Sequence, residues 1–127
     1  MIDAAMAVQE FATGMHDPTE GGVLAGLLEM AVVAEYTFAI DRAQVPVRPE
    51  TRELCAALDV DPLSMFGSGA LLVTVSAADV DATLEQMDLV EVDATVIGEV
   101  RAGEGIVRLD GEPVREAPRD TLYRLWE

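Results

Sequence analysis

Apolar residues recur at helical spacing through much of the chain, and short β-branched or apolar runs separate these stretches. The helical spacing predicts helices over 3–13, 18–34, 49–58, 77–87 and 118–126. The shorter runs predict strands over 36–40, 70–75 and 92–100, and a hairpin over 105–114 that turns at Asp110-Gly111. Because several strands are neighbours along the chain, this order favours an α+β fold, a layered, mixed β-sheet covered by helices.

Length and two strand features refine that prediction. The chain has 127 residues, half of them hydrophobic, which suits one globular domain over 1–127. The strand at 70–75 is apolar nearly throughout, which predicts a central strand covered on both faces. The segment 71–100 resembles part of a ferredoxin-like unit, with a helix between two strands of the sheet.

The start of the second predicted helix is the most informative segment of the chain. Asp17 is predicted to cap this helix, with Pro18 at its first position and Glu20 completing a capping box. Gly21 and Gly22 each cost about 1 kcal/mol relative to alanine in a helix, so a pair in the first turn indicates a close approach to the backbone. Two interpretations stay open: tight packing, or a phosphate or carboxylate bound by the free N–H groups.

Few residues of the chain could carry chemistry. His16 is the only histidine and Cys55 the only cysteine, which excludes an internal disulfide and a standard zinc ligand set. Imidazoles titrate near neutrality, so His16 qualifies as a general acid or base; a structural hydrogen-bond donor is the alternative. Asp17 either caps the helix or helps orient a Mg²⁺-bound water.

The charge balance restricts the partners. The chain has 24 acidic residues and 8 basic ones, all of them arginine, for a net charge of −16. Nucleic acids and anionic membranes attract basic patches, so neither is expected as a partner. A dispersed acidic coat without lysine resembles proteins of halophilic organisms; an acidic face for a basic partner is the alternative. The sequence shows neither a membrane span nor a basic signal region, so a cytoplasmic location is expected.

Several segments, taken in order, resemble the second half of proteins in the AIR synthase (PurM-like) superfamily. They are Met15-His16-Asp17-Pro18-Thr19-Glu20-Gly21-Gly22 before an apolar helix, Val45-Pro46-Val47, Asp61-Pro62-Leu63 leading to Gly67-Ser68-Gly69-Ala70-Leu71-Leu72, and Val96-Ile97-Gly98-Glu99-Val100. The likeness extends over about the whole chain and points to the branch of hydrogenase-maturation carbamoyl dehydratases and their AIR-synthase-related relatives. One feature departs from that dehydratase, which carries the carbamoyl group on a C-terminal cysteine: here no cysteine follows Cys55. Carbamoyl dehydration by that route is therefore not expected.

The resemblance implies an ATP-binding enzyme of two domains, usually a dimer, whose N-terminal half holds Mg²⁺ and the nucleotide phosphates. This chain resembles only the C-terminal domain, so ATP and Mg²⁺ are expected mainly through a missing N-terminal half. In the family, the segment equivalent to 17–22 lies near the cleft between the domains. The candidate catalytic residues are then His16 and Asp17, and the candidate ligand-binding residues are Thr19, Gly21, Gly22, Ser68 and Gly69.

Two functions remain open at this point. In the first, the chain is the substrate-side C-terminal domain of an ATP-dependent enzyme of ligase or lyase type, inactive in isolation. It would bind a nucleotide or phosphorylated small molecule at 17–22. Its other partners would be the missing N-terminal ATP-binding domain and a second copy in a homodimer. In the second, the chain is a non-catalytic binding, regulatory or dimerisation module that retains the fold.

Overall fold

The computed structural model describes residues 1–67 and 69–126, and helices alternate with strands along the chain. In order they are α1 (Ile2–Val8), β1 (Ala12–His16), α2 (Gly22–Ala34), β2 (Thr37–Ile40), α3 (Pro49–Leu58), β3 (Leu72–Val75), α4 (Val80–Leu89), β4 (Gly98–Arg101), β5 (Val107–Leu109) and β6 (Glu112–Val114). Short 3₁₀ helices lie at Arg42–Gln44, Pro62–Ser64, Ala77–Asp79 and Thr121–Trp126. The predicted α+β class is confirmed.

The described strands form two sheets. In the smaller sheet β1 pairs antiparallel with β3, which places His16 opposite Leu72. The larger sheet has the order β4-β2-β5-β6; β2 and β5 run parallel, and the other neighbours run antiparallel. The larger sheet is therefore mixed, as the sequence predicts. β3 and β4 belong to different sheets, so the segment 71–100 does not form one β-α-β unit.

Helix α2 lies at the centre of the main core because its sequence is apolar on nearly every side. The buried core around it contains Leu24, Leu27, Leu28, Ala31, Phe38, Ile40, Val45, Leu63, Leu72 and Val107. Four of these residues belong to α2; both sheets, the 3₁₀ helix Pro62–Ser64 and Val45 contribute the others. Burying a leucine stabilises a fold by about 1.5–3 kcal/mol, so this packing fixes the position of α2 and of its first turn.

The first predicted helix is wrong beyond Val8. Residues 12–16, placed in that helix or in the turn after it, form strand β1. The cause is tertiary pairing: β1 exchanges ladder hydrogen bonds with β3, and the Thr13 hydroxyl donates to the Thr74 carbonyl oxygen at 3.1 Å. Helical spacing within a short window carries no information about such a distant partner strand.

Two further strand predictions differ in outcome. β3 is present, but it is not a central strand, since it pairs with β1 in a two-stranded sheet and only Leu72 of its residues is buried. The hairpin β5–β6 is confirmed, with Asp110 and Gly111 in the turn at φ 52° and 86°. Positive φ at both turn residues gives the chain the twist that a two-residue hairpin needs.

Candidate functional site

Helix α2 begins later than predicted, and the predicted capping box is wrong. The helix starts at Gly22, and its N-cap is Gly21 in the left-handed region at φ 83°, with no side-chain capping hydrogen bond. Gly22 is also at positive φ, 72°, so the chain turns sharply here and cannot continue a helix back to Pro18. Asp17 is exposed and lies outside the helix.

The first turn of α2 receives a carboxylate from the far end of the chain. The Gly21 N–H donates to Asp120 Oδ2 at 3.0 Å, while Asp120 Oδ1 accepts from the Leu122 N–H, also at 3.0 Å. Asp120 is only 5% exposed. A buried carboxylate is tolerated where hydrogen bonds satisfy it, and the positive end of a helix dipole favours it. Asp120 thus takes the role that the sequence assigns to Asp17.

The glycine pair has a packing cause on one side. A Cβ on Gly22 would lie 2.6 Å from the Leu63 carbonyl oxygen and closer still to that of Met65. The Gly22 N–H donates to the Thr19 carbonyl oxygen at 3.0 Å. The segment 63–65 therefore packs directly on the backbone of the first turn, which supports the tight-packing interpretation of Gly22.

The glycine-rich segment that precedes β3 contacts the predicted ligand-binding residue Thr19 through Gly67. The Gly67 N–H donates to the Thr19 carbonyl oxygen at 3.1 Å, so the glycine-rich segment crosses the start of α2. Thr19 is exposed, and a Cβ on Gly69, which is at φ 93°, would have no atom of the described residues within 4 Å. Ser68, which was predicted to bind ligand, lies outside the described residues.

Asp61 holds in place the segment 63–65, which packs on Gly22. Its carboxylate receives two hydrogen bonds from the Arg42 guanidinium, at 2.9 and 3.1 Å, and one from the Leu63 N–H at 3.0 Å. Burial raises the pKa of Asp61, but the hydrogen bonds from Arg42 and Leu63 outweigh it, so the pKa is lowered. The ionised carboxylate thus links the 3₁₀ helix Pro62–Ser64 to the 3₁₀ helix Arg42–Gln44.

The C-terminal segment lies across the same region. The Tyr123 hydroxyl donates to Glu20 Oε1 at 2.8 Å, and this hydrogen bond raises the pKa of Tyr123. The Thr121 hydroxyl donates to the Asp61 carbonyl oxygen at 3.1 Å. Glu20 therefore does not complete a capping box; it binds the C-terminal segment instead. Through these contacts and that of Asp120, the C-terminal segment packs against the start of α2, as the segment 63–65 and the glycine-rich segment do.

His16 has a carboxylate partner that sequence reasoning missed. Its Nε2 atom is within hydrogen-bond distance of Glu29 Oε2 on α2, and its side chain is 26% exposed. Sequence spacing gives no hint of this pair, because His16 lies on a strand and Glu29 on the next helix.

Asp120 does carry one local signal, since its carboxylate accepts a hydrogen bond from the N–H two residues later, which is an Asx turn.

The described residues contain neither a cluster of metal ligands nor a membrane-spanning helix. Within 1–67 and 69–126, no group of three or more His, Cys, Asp or Glu residues could hold a metal ion. None of the helices in the same part of the chain is long and apolar enough to cross a membrane.

Comparison with known proteins places the chain in a family. Residues 1–110 match the family described as AIR synthase related protein, C-terminal domain. The carbamoyl dehydratase HypE of Rhizobium leguminosarum bv. viciae is 35% identical over 92 residues, which cover 71% of this chain and 26% of that protein. The chain thus spans about a quarter of the length of this relative.

Solved structures agree with the sequence match. The crystal structure of E. coli HypE, a hydrogenase maturation protein, has a TM-score of 0.81 at 26% identity and covers 96% of this chain and 41% of that one. The crystal structure of HypE in complex with ATP has a TM-score of 0.73 at 25% identity and covers 84% of this chain and 36% of that one. The chain therefore belongs to the AIR synthase related family and corresponds to its C-terminal domain.

Proposed function

We propose that this chain is the substrate-side C-terminal domain of an ATP-dependent enzyme related to AIR synthase and the hydrogenase-maturation proteins. An N-terminal half completes the enzyme and supplies most contacts to ATP and Mg²⁺. Two findings support the proposal: the chain spans 26% of the HypE relative, and a similar HypE structure contains ATP. Since the described residues lack a metal site, no step of the reaction is assigned to a metal held by this chain.

The ligand is a phosphoryl group or nucleotide that binds where the segment 17–22 meets the glycine-rich segment. The observation that carries this placement is the hydrogen bond from the Gly67 N–H to the Thr19 carbonyl oxygen, at the positive end of α2. Thr19 is exposed and offers a hydroxyl donor, and a Cβ on Gly69 would meet no atom of the described residues within 4 Å. Ser68 belongs to the proposed ligand-binding set on the sequence resemblance alone.

The two glycines of the first turn have different roles in this proposal. The Gly21 N–H already holds a carboxylate oxygen of Asp120, so a ligand oxygen binds it only by replacing that carboxylate. Gly22 shapes the turn by allowing the segment 63–65 to lie against it. His16 and Asp17, which join β1 to this loop, are the candidate catalytic residues, with His16 moving a proton and Asp17 facing solvent.

Calorimetric titration with ATP and Mg²⁺ tests the proposal, on this chain alone and joined to its N-terminal half. We expect binding in the joined protein that weakens about tenfold in Asp17→Asn, because this variant removes the carboxylate that would orient a water on the Mg²⁺ bound with ATP. Asp93→Asn, at another exposed acid, is the matched control and should bind as the wild type does. Binding that is equal in all three proteins would remove Asp17 from the site. No binding in the joined protein would contradict the enzyme proposal.

One observation favours the second function, a non-catalytic binding or dimerisation module. Both glycine N–H groups of the first turn already have partners within the chain, the carboxylate of Asp120 and the carbonyl oxygen of Thr19. A fold that satisfies its own anion-binding groups can persist without a ligand. The mass of the chain in solution, measured with and without ATP, distinguishes a nucleotide-independent dimer from the enzyme domain.

A further inference from the structure

The pair formed by His16 and Glu29 has a defined direction. The contact joins Nε2 of the imidazole to a carboxylate oxygen. An ionised carboxylate only accepts hydrogen bonds, so Nε2 must be the donor. In the neutral ring, one nitrogen carries the proton and the other carries a lone pair. Nδ1 is therefore the nitrogen whose lone pair is free to accept a proton.

Both members of the pair are held by rigid elements. His16 is the last residue of β1 and is fixed by its pairing with Leu72 on β3. Glu29 lies within α2, directly after the buried Leu28. His16 directly precedes Asp17 in the sequence, and its contact with Glu29 places the imidazole beside α2, about two helical turns beyond Gly22. Its 26% exposed side chain leaves it accessible from solvent.

We propose that Glu29 is a positioning residue that holds His16 with its proton on Nε2, so that Nδ1 serves as the base for the substrate. The inference rests on the proposed function, because it assumes that His16 moves a proton in the reaction. The attacking group of the substrate gives its proton to Nδ1, and the ring becomes an imidazolium. The Glu29 carboxylate offsets that charge until the proton passes on to the product or to water.

A structural role for the pair is the competing explanation, and it makes a different prediction. Ion pairs between exposed side chains contribute little to stability, and the Glu29 side chain is 60% exposed. Loss of Glu29 should therefore leave the thermal unfolding midpoint almost unchanged while it changes the state of the imidazole. A purely structural pair would instead lower the thermal unfolding midpoint clearly when Glu29 is removed.

Nuclear magnetic resonance of the ¹⁵N-labelled chain tests the inference, because His16 is the only histidine and gives one pair of ring nitrogens. Long-range ¹H–¹⁵N spectra are recorded at a pH at which the ring is neutral. We expect an Nε2–H proton protected from solvent exchange in the wild type. Glu29→Ala should lose that protection, and Glu29→Gln should retain it, because the amide oxygen still accepts the hydrogen bond.

Glu85→Ala provides the matched control, since Glu85 is also an exposed acid within a helix. Its spectrum should equal that of the wild type. A proton on Nδ1 in the wild type, or the same Nε2–H protection in Glu29→Ala, would overturn the inference.

Ethoxyformylation with diethyl pyrocarbonate gives a second readout, namely which ring nitrogen is free to react, and it does not depend on the stability of the fold. The reagent transfers its ethoxyformyl group to an unprotonated imidazole nitrogen and releases ethanol and carbon dioxide. We expect modification at Nδ1 in the wild type and at both nitrogens in Glu29→Ala. Modification at Nε2 in the wild type would contradict the inference. These measurements need no ATP, so the pair can stand even where the titration with ATP fails, and the two proposals fail separately.

Discussion

The start of α2 and the β5–β6 hairpin both turn on residues at positive φ, but they are held in different ways. The hairpin closes on itself through Asp110 and Gly111, and a Cβ on Gly111 would meet nothing within 4 Å. The start of α2 depends on distant segments: Leu63, Gly67 and Asp120 all contact it. Local turn chemistry therefore determines the first region, and the tertiary fold determines the second.

The largest expected effect is the difference in stability lost when one glycine in each region is replaced by alanine. Gly22→Ala should lower the free energy of unfolding by about 3 kcal/mol or more, because alanine is strained at positive φ and its Cβ meets two backbone carbonyl oxygens. Gly111→Ala, which carries only the strain of the left-handed conformation, should cost about 1 kcal/mol. Urea unfolding of both variants measures the difference. Equal losses would show that the packing on Gly22 does not matter.

The packing on Gly22 also argues against a role for this residue in ligand binding alone. If the residue served a ligand alone, Gly22→Val would abolish binding and barely disturb the fold. The carbonyl oxygens of Leu63 and Met65 leave no room for a side chain, so the valine variant should lose stability as well. Gly22 is therefore unsuitable for testing ligand binding, and substitutions at Asp17 are preferable.

The next effect compares two aspartates that compete for one role. Asp120→Ala should lower the free energy of unfolding by about 2 kcal/mol, because it removes the acceptor of the buried Gly21 N–H. Asp17→Ala should change it by less than about 0.5 kcal/mol, since Asp17 is exposed and does not cap α2. Thermal unfolding followed by circular dichroism compares the two. A larger loss for Asp17→Ala would restore the predicted capping box.

A smaller effect concerns the pH dependence of the contacts around Asp61. Its pKa is lower in the folded chain than the usual value near 4, so its ionised form stabilises the fold above that value. This stabilisation is lost as the pH falls from about 4 through the lower folded pKa. Urea unfolding between pH 7 and pH 3 should therefore show a weaker pH dependence in Asp61→Asn than in the wild type.

Arg42→Ala is the companion variant for that measurement. It removes the two hydrogen bonds that lower the pKa of Asp61 most, while it leaves the one from the Leu63 N–H. We expect a pH dependence between those of the wild type and Asp61→Asn. An unchanged pH profile in both variants would exclude Asp61 as a source of the acid sensitivity.

The sequence predicts well where structure is local. The α+β class, helix α3 and the turn at Asp110-Gly111 all follow from spacing, β-branched runs and turn residues. Strand β1 does not, because only pairing with β3 distinguishes it from the end of a helix. Elements that depend on partners distant in the chain carry no local signature.

The candidate site shows the same division. The motif around Gly21 and Gly22 correctly indicates a close approach to the backbone, and the structure identifies what approaches: the segment 63–65 and the carboxylate of Asp120. No local pattern predicts that Asp120, close to the C-terminus, replaces Asp17 at the helix start. The pair between His16 and Glu29 likewise depends on how a strand and a helix pack.

The most direct test of the account is to map ATP binding on the ¹⁵N-labelled chain by amide chemical shifts, with ATP and Mg²⁺ at millimolar concentrations. At these concentrations weak binding by the domain alone is detectable. We expect shift changes at Thr19, Gly21 and Gly69, and none at Asp110 and Gly111 in the hairpin. Changes confined to the hairpin, or none within 17–22 and 67–69 at saturating ATP, would contradict the placement of the ligand at the start of α2.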